Sequence, residues 1–194
     1  MKYKFYNFVN ALGYNKTHSS HNEKIVSGIG GFLGIFLILY ITGNFIHLEN
    51  AVLIVASMGA SAVLVFAAPH SPFSQPWSVG FGHLFSATVG VLCYQYTPDI
   101  QLAAALSVGL SIVVMLYLHC IHPPGGATAL SAVIGGPAVH DLGYQFIITP
   151  VLVNVLAILI TATAFNNLFR RRPYPFALSH SRKGKRLNQR RGSD

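Results

Sequence analysis

The sequence predicts an all-α, polytopic membrane helical bundle of about six membrane segments, arranged as a 3+3 inverted repeat with short or broken second and fifth helices. Three observations lead there. From residue 25 to residue 169 the chain runs for 145 residues without a lysine or arginine, and all 13 basic residues lie in the two tails. Only Glu49, Asp99 and Asp141 bring formal charge to that stretch, whereas a soluble domain carries roughly a quarter of its residues as charges. Finally, the pentapeptide Gly59-Ala60-Ser61-Ala62-Val63 returns 67 positions later as Gly126-Ala127-Thr128-Ala129-Leu130. The solvent around the middle of the chain is therefore lipid, and any function must be performed there with almost no charge.

The segments follow from length and from breaker residues. A spanning helix takes about 20 apolar residues, so four spans leave too much apolar chain for loops and six use it with short turns. Prolines, glycines and polar clusters place the boundaries. The segments are 25–46, ending at His47, Glu49 and Asn50; 51–68, closed by Pro69; 79–96, before Thr97-Pro98-Asp99; 101–118, stopped at His122-Pro123-Pro124; 125–136, only a dozen residues before Pro137; and 145–169. Residues 1–24 then form an N-terminal segment, 25–169 the membrane domain and 170–194 a basic tail. Lysine and arginine favour the cytoplasmic side, so both termini are expected in the cytoplasm. The polar, mildly basic N-terminal segment has no short apolar core of the kind a cleavable leader needs. The tail reads as a solvated segment touching anionic headgroups, with nucleic-acid binding the weaker reading. Cys93 and Cys120 read as buried small hydrophobes.

The echoed pentapeptides sit in the middle helices of the two proposed three-helix units. An odd number of helices per unit inverts the second unit, and short middle helices in inverted repeats are a recurrent transporter arrangement. The second copy opens His122-Pro123-Pro124-Gly125-Gly126. Two prolines stop the preceding helix and suit the first turn of a new one, and the glycines permit close approach of a backbone or a ligand. A helix starting inside the membrane carries partial positive charge and unpaired N–H groups at its N-terminus, which attract anions. The candidate substrate-binding residues are thus Gly59, Ala60, Ser61, His83, His122, Pro123, Pro124, Gly125, Gly126, Ala127 and Thr128. A second reading stays open: Gly, Ala, Ser and Thr are enriched wherever membrane helices pack closely. The glycine run from Gly28 to Gly34 reads as packing. His83 and Asn154, polar groups in mid-span, point to a cavity or a partner. No cofactor and no metal is expected, because the His119–His122 spacing lacks supporting carboxylates.

The stretch from His122 to Leu130 resembles the signature of the HPP family of membrane proteins. Two more blocks resemble it: Ser57 to Phe66 with Pro69-His70-Ser71-Pro72 and Gln75-Pro76, and Gly82-His83-Leu84-Phe85-Ser86-Ala87. The resemblance implies transport of nitrite and a bacterial inner membrane location, and the family is described with four spans rather than six. Where many members have arginine after Gln-Pro, this chain has Trp77.

Three functions compete. The first is a transporter or channel for a small anion, with membrane lipids and further copies of the chain as its other partners. A homo-oligomer is expected because one small protomer leaves a thin wall around a central site. The second is a membrane enzyme, disfavoured because acid–base and metal chemistry usually sets Asp or Glu beside His. The third is a non-transporting membrane subunit or sensor of unknown ligand.

Overall fold

The computed structural model describes residues 19–44 and 52–177, and every regular element within them is helical. In chain order these are α1 (His21–Thr42), α2 (Val52–Ala67), a 3-10 turn at Pro72–Ser74, α3 (Pro76–Tyr96), α4 (Ile100–Tyr117), α5 (Pro123–Ile134), the single turn α6 (Pro137–His140), and a π-helical stretch, Ile147–Leu152, running into α7 (Val153–Asn167). Helices thus stand at all six expected places. Three of them, His21–Thr42, Ile100–Tyr117 and Ile147–Asn167, are long and apolar enough to cross a membrane. α2 has 16 residues and α5 has 12. At 1.5 Å per residue these reach about 24 and 18 Å, short of the roughly 30 Å of hydrocarbon. Residues 45–51, which include Glu49, lie outside the described residues.

Local chemistry sets the boundaries. Ser20 caps α1, its hydroxyl accepting from the Glu23 N–H at 3.2 Å; this Ser-x-x-Glu start moves the helix four residues ahead of the hydropathy boundary at 25. Asp99 caps α4 through Leu102 N–H at 2.7 Å. α4 ends in paired bonds from Cys120 N–H to the Met115 carbonyl and from His119 N–H to the Leu116 carbonyl. That is a Schellman closure, and His119 occupies its left-handed position with φ 52°. The last helix is interrupted at Thr149, extended at φ −128°, just before Pro150, as expected where proline removes a helical hydrogen bond.

α3 packs most extensively on α5 and α4, while α1 packs on α2 and α7. Gly30 and Gly34 let α1 settle on Phe66: an added methyl would lie 2.5 and 2.8 Å from that ring. Gly28 and Gly31 have open space instead, so only half of the glycine run serves packing. Buried amides tie the outer helices together, Asn154 exchanging bonds with Thr42 at 2.9 and 3.1 Å and Asn166 donating to the Val65 carbonyl at 3.1 Å. Cys93 and Cys120 are buried and free.

Residues 170–177 depart from the solvated segment expected there, while the rest of the tail, 178–194, lies outside the described residues. Arg172 is 1% exposed, ion-paired to Glu23 at 3.1 Å and bonded to Ser27 and to the Phe66 carbonyl. Burial lowers the pKa of its guanidinium and the neighbouring Glu23 opposes that shift. Tyr174, also buried, donates to the Ser74 carbonyl at 2.6 Å, and burial raises its pKa, keeping the phenol a donor. A basic side chain following an apolar helix reads as solvated by composition; here the ends of α1 and α2 provide partners that composition cannot reveal. The contact also places Glu23 and Arg172, near the two described chain ends, at the same end of the bundle.

Arg172→Met should cost about 2–3 kcal/mol, the range for buried hydrogen bonds to a charged group, read as a lower melting temperature of the detergent-solubilised chain. His119→Gly should stabilise the chain by about 1 kcal/mol, read as a higher melting temperature, because glycine adopts the left-handed region without the Cβ clash.

Candidate functional site: a histidine pair bracketed by hydroxyls

His83 lies on the buried stripe of α3 that also contains Val79, Gly82, Ser86, Ala87 and Gly90, the spacing of one helix face. His122 is the residue immediately before α5. Both rings are 0% exposed and meet edge-to-face with centroids 4.8 Å apart. Ser61 Oγ stands between them, 2.8 Å from His83 Nε2 and 2.9 Å from His122 Nε2. On the far side of His83, Thr128 Oγ1 lies 2.7 Å from Nδ1 and 3.1 Å from Ser57 Oγ. His122 Nδ1 faces the Phe73 carbonyl at 2.8 Å, and Ser57 Oγ donates to the Ile54 carbonyl at 2.8 Å. Two imidazoles and three hydroxyls thus form one continuous polar cluster where α2, α3 and α5 meet.

Glycine makes the meeting close enough. A methyl at Gly82 would lie 2.6 Å from His122 Cβ, and one at Gly125 would lie 2.8 Å from both the Gly82 carbonyl oxygen and Ser86 Oγ. α3 and α5 therefore approach backbone to backbone, and the rings fall within reach of hydroxyls on both neighbouring helices. Ser86 Oγ is buried and lacks a hydrogen-bond partner among the described residues.

Residues 16–175 match the family model for the HPP transmembrane region. The chain belongs to the HPP family. It is 39% identical over 153 residues to a transmembrane protein of Dictyostelium discoideum, covering 77% of this chain and 49% of that protein. A second Dictyostelium discoideum transmembrane protein is 41% identical over 126 residues, 63% of this chain and 44% of its own length. The HPP chain thus spans about half the length of these curated relatives. No solved structure matches it.

The histidine of the HPP motif is the one inside the cluster, while the rest of the motif is divided between packing and the surface. Pro124 and Gly125 are buried, and Pro123 is exposed. The start of α5 offers fewer N–H groups than the sequence suggested: Pro123 and Pro124 have none, and Gly125 N–H donates to the His122 carbonyl at 2.8 Å. The two echoed segments share one burial pattern, in which Gly59 and Gly126 are half-buried, Ala60 and Ala127 exposed, and Ser61 and Thr128 buried. Only the hydroxyl of each copy reaches the histidines. Ala60 and Ala127 face away because each precedes that hydroxyl by one residue, about 100° around the helix. Gly59 lines an apolar groove of about 330 Å³ with Gly28, Gly31 and Phe32, and Gly126 lines another of about 300 Å³ with Val108, Met115 and Ile121.

Two participants lay beyond the candidates read from the chain. Ser57 could have been found, since it precedes Ser61 by one helical turn on the same face. The Phe73 carbonyl could not, because a backbone acceptor has no side-chain signal.

The geometry separates the adjacent motif glycines. Gly125→Ala should destabilise by about 1–3 kcal/mol through overpacking, whereas Gly126→Ala, whose nearest added contact is Val108 at 3.8 Å, should be nearly neutral. Melting temperatures of the two variants in one detergent check this.

Proposed function

We propose that this HPP-family membrane protein moves a small inorganic anion across the bilayer, nitrite first among candidates, and handles it at the cluster of Ser61, His83, His122 and Thr128. The observation that carries the reading is a buried, hydroxyl- and imidazole-rich cluster in a domain with no lysine or arginine from 25 to 169. Ionisable groups within membrane segments usually serve a pathway or a partner. Neutral donors can replace the hydration of a monovalent anion without the fixed cation that would hold it too tightly to release.

In this reading α1–α3 and α4–α7 form two inverted units whose short middle helices, α2 and α5, meet near the midplane. The dipole at the start of α5 adds to the field at the anion, while hydroxyl and imidazole donors replace the N–H groups that proline removes. Both termini lie in the cytoplasm by the positive-inside rule, a bacterial inner membrane is the setting, and further copies of the chain complete the wall. No chemical step is assigned to the protein.

A non-transporting subunit or sensor is the second reading, favoured by the complete enclosure of both rings. Purified full-length chain in liposomes with a nitrite gradient decides between them. The transport reading expects saturable uptake above protein-free vesicles, and Thr128→Val should weaken it about tenfold, equivalent to the 1–2 kcal/mol of one hydrogen bond. Uptake no greater than in protein-free vesicles leaves the sensor reading.

A further inference from the structure

The hydrogen bonds of the cluster have a direction, and the direction is set at one end. The Phe73 carbonyl can only accept, so His122 Nδ1, 2.8 Å away, must carry a proton. In a neutral imidazole the other nitrogen is then an acceptor. His122 Nε2 therefore takes the Ser61 proton at 2.9 Å. The Ser57 carbonyl, 3.1 Å from Ser61 Oγ, also can only accept, but a Ser61 proton turned to it would leave the neutral His122 Nε2 without a donor. With its proton on His122, Ser61 Oγ accepts from His83 Nε2 at 2.8 Å. That assigns His83 the opposite tautomer and makes its Nδ1 the acceptor of the Thr128 hydroxyl at 2.7 Å. Every ring nitrogen is satisfied, and each assignment follows from the one before it.

We infer that His83 and His122, joined through Ser61, form a site for one shared proton whose uptake reverses the whole chain of hydrogen bonds. A hydrated proton delivered to Thr128 Oγ1 bonds to that oxygen, and the hydroxyl passes its own proton to His83 Nδ1. His83 Nε2 gives its proton to Ser61 Oγ, and Ser61 gives its proton to His122 Nε2. Three proton transfers follow the arrival of one, and the single added charge rests on His122. All donors are still matched: His122 donates to Phe73 and Ser61, Ser61 to His83 Nε2, and His83 Nδ1 to Thr128. The Thr128 hydroxyl then turns to the Ser57 hydroxyl at 3.1 Å or the Pro124 carbonyl at 3.4 Å, while Ser57 keeps the Ile54 carbonyl. A second proton would leave Ser61 accepting from both rings and donating to the Ser57 carbonyl at 3.1 Å, and it is repulsion between two imidazolium rings with centroids 4.8 Å apart that opposes it.

Among the described residues, no other buried basic side chain stands beside the pair. Of ionisable side chains, α2 and α5 contain none, α4 has only the exposed Tyr117, and those on α3 besides His83 are Cys93, Tyr94 and Tyr96, nearly three turns away or more. The connection before α5 contributes the exposed His119 and the buried Cys120, whose uncharged thiol already bears its proton. The turn before α3 contributes His70, which is exposed and bonds the Arg171 carbonyl at 3.3 Å. The inference deepens the transport reading by assigning a proton to the same residues, but it rests on hydrogen-bond geometry and can be tested with no anion present.

The test is nitrogen NMR of the full-length chain with ring-labelled histidine in lipid bilayers, the two rings assigned by the signals lost in His83→Gln and His122→Gln. At neutral pH both rings should be uncharged, with His122 protonated on Nδ1 and His83 on Nε2. As the pH falls the pair should take up one proton rather than two, and His83 should change tautomer as His122 becomes charged. In Ser61→Ala that change of tautomer should be lost, and Ser61→Thr, which keeps the hydroxyl, should restore it. A neutral His122 protonated on Nε2, or two independent titrations, overturns the inference in the wild type alone. So does a Ser61→Ala chain in which His83 still follows His122. Absence of nitrite uptake beside the expected tautomers would remove the anion and leave the proton site standing.

Discussion

The structure depends on satisfying polar groups from within. In lipid an unpaired buried polar group costs several kcal/mol, and this chain has no lysine or arginine from 25 to 169 with which to offset a buried charge. Its solution at the centre is to surround one imidazole with hydroxyls: Ser61 and Thr128 take opposite nitrogens of His83, and His122 joins through Ser61. That arrangement dictates the helix geometry around it. Hydroxyls on α2 and α5 reach a ring on α3 only if the backbones come close, which accounts for Gly82 and Gly125, whose added methyls would meet neighbouring atoms at 2.6 and 2.8 Å. Packing and the polar cluster are therefore two aspects of one contact. The small residues bring the helices together, and the hydroxyls beside them hold the histidines.

Much of this was legible in the chain. The absence of basic residues from 25 to 169 declared a membrane protein, and prolines and polar clusters located helices at all six places. The histidines in the membrane segments drew attention as groups needing partners, and the echo at Ser61 and Thr128 pointed to the helices that provide them. Periodicity taken one step further would have sorted the echoed residues by face, setting Ser61 and Thr128 inward and Ala60 and Ala127 outward. The reading of free N–H groups at the start of α5 missed that proline, the residue that suits a first turn, has no N–H to offer.

Other features could not be read there because their causes are distant or belong to the backbone. Arg172 follows an apolar helix in a basic run, and nothing local distinguishes it from Arg170 and Arg171. Its burial comes from Glu23, Ser27 and the Phe66 carbonyl, groups more than a hundred positions earlier. His119 in a left-handed position is equally obscure, since that site usually takes glycine. The bond from His122 to Phe73 is set by a main-chain oxygen.

That last bond ties the histidine cluster to the C-terminal segment through one turn. Phe73 and Ser74 are consecutive residues of the short turn before α3, and their carbonyls serve different masters: Phe73 accepts from His122, and Ser74 accepts from Tyr174 in the C-terminal segment. Gln75, next in line, holds the turn together by donating to the Pro69 and Ser71 carbonyls at 3.0 and 2.8 Å. The turn is thus fixed from inside by Gln75 and from outside by Tyr174, and its rigidity is what gives the Phe73 carbonyl a definite direction. A carbonyl in a defined place selects one tautomer of His122, and through Ser61 that choice reaches His83 and Thr128. The order of a buried hydrogen-bond chain is in this way inherited from the turn before α3, which makes that turn and the two histidines one structural unit.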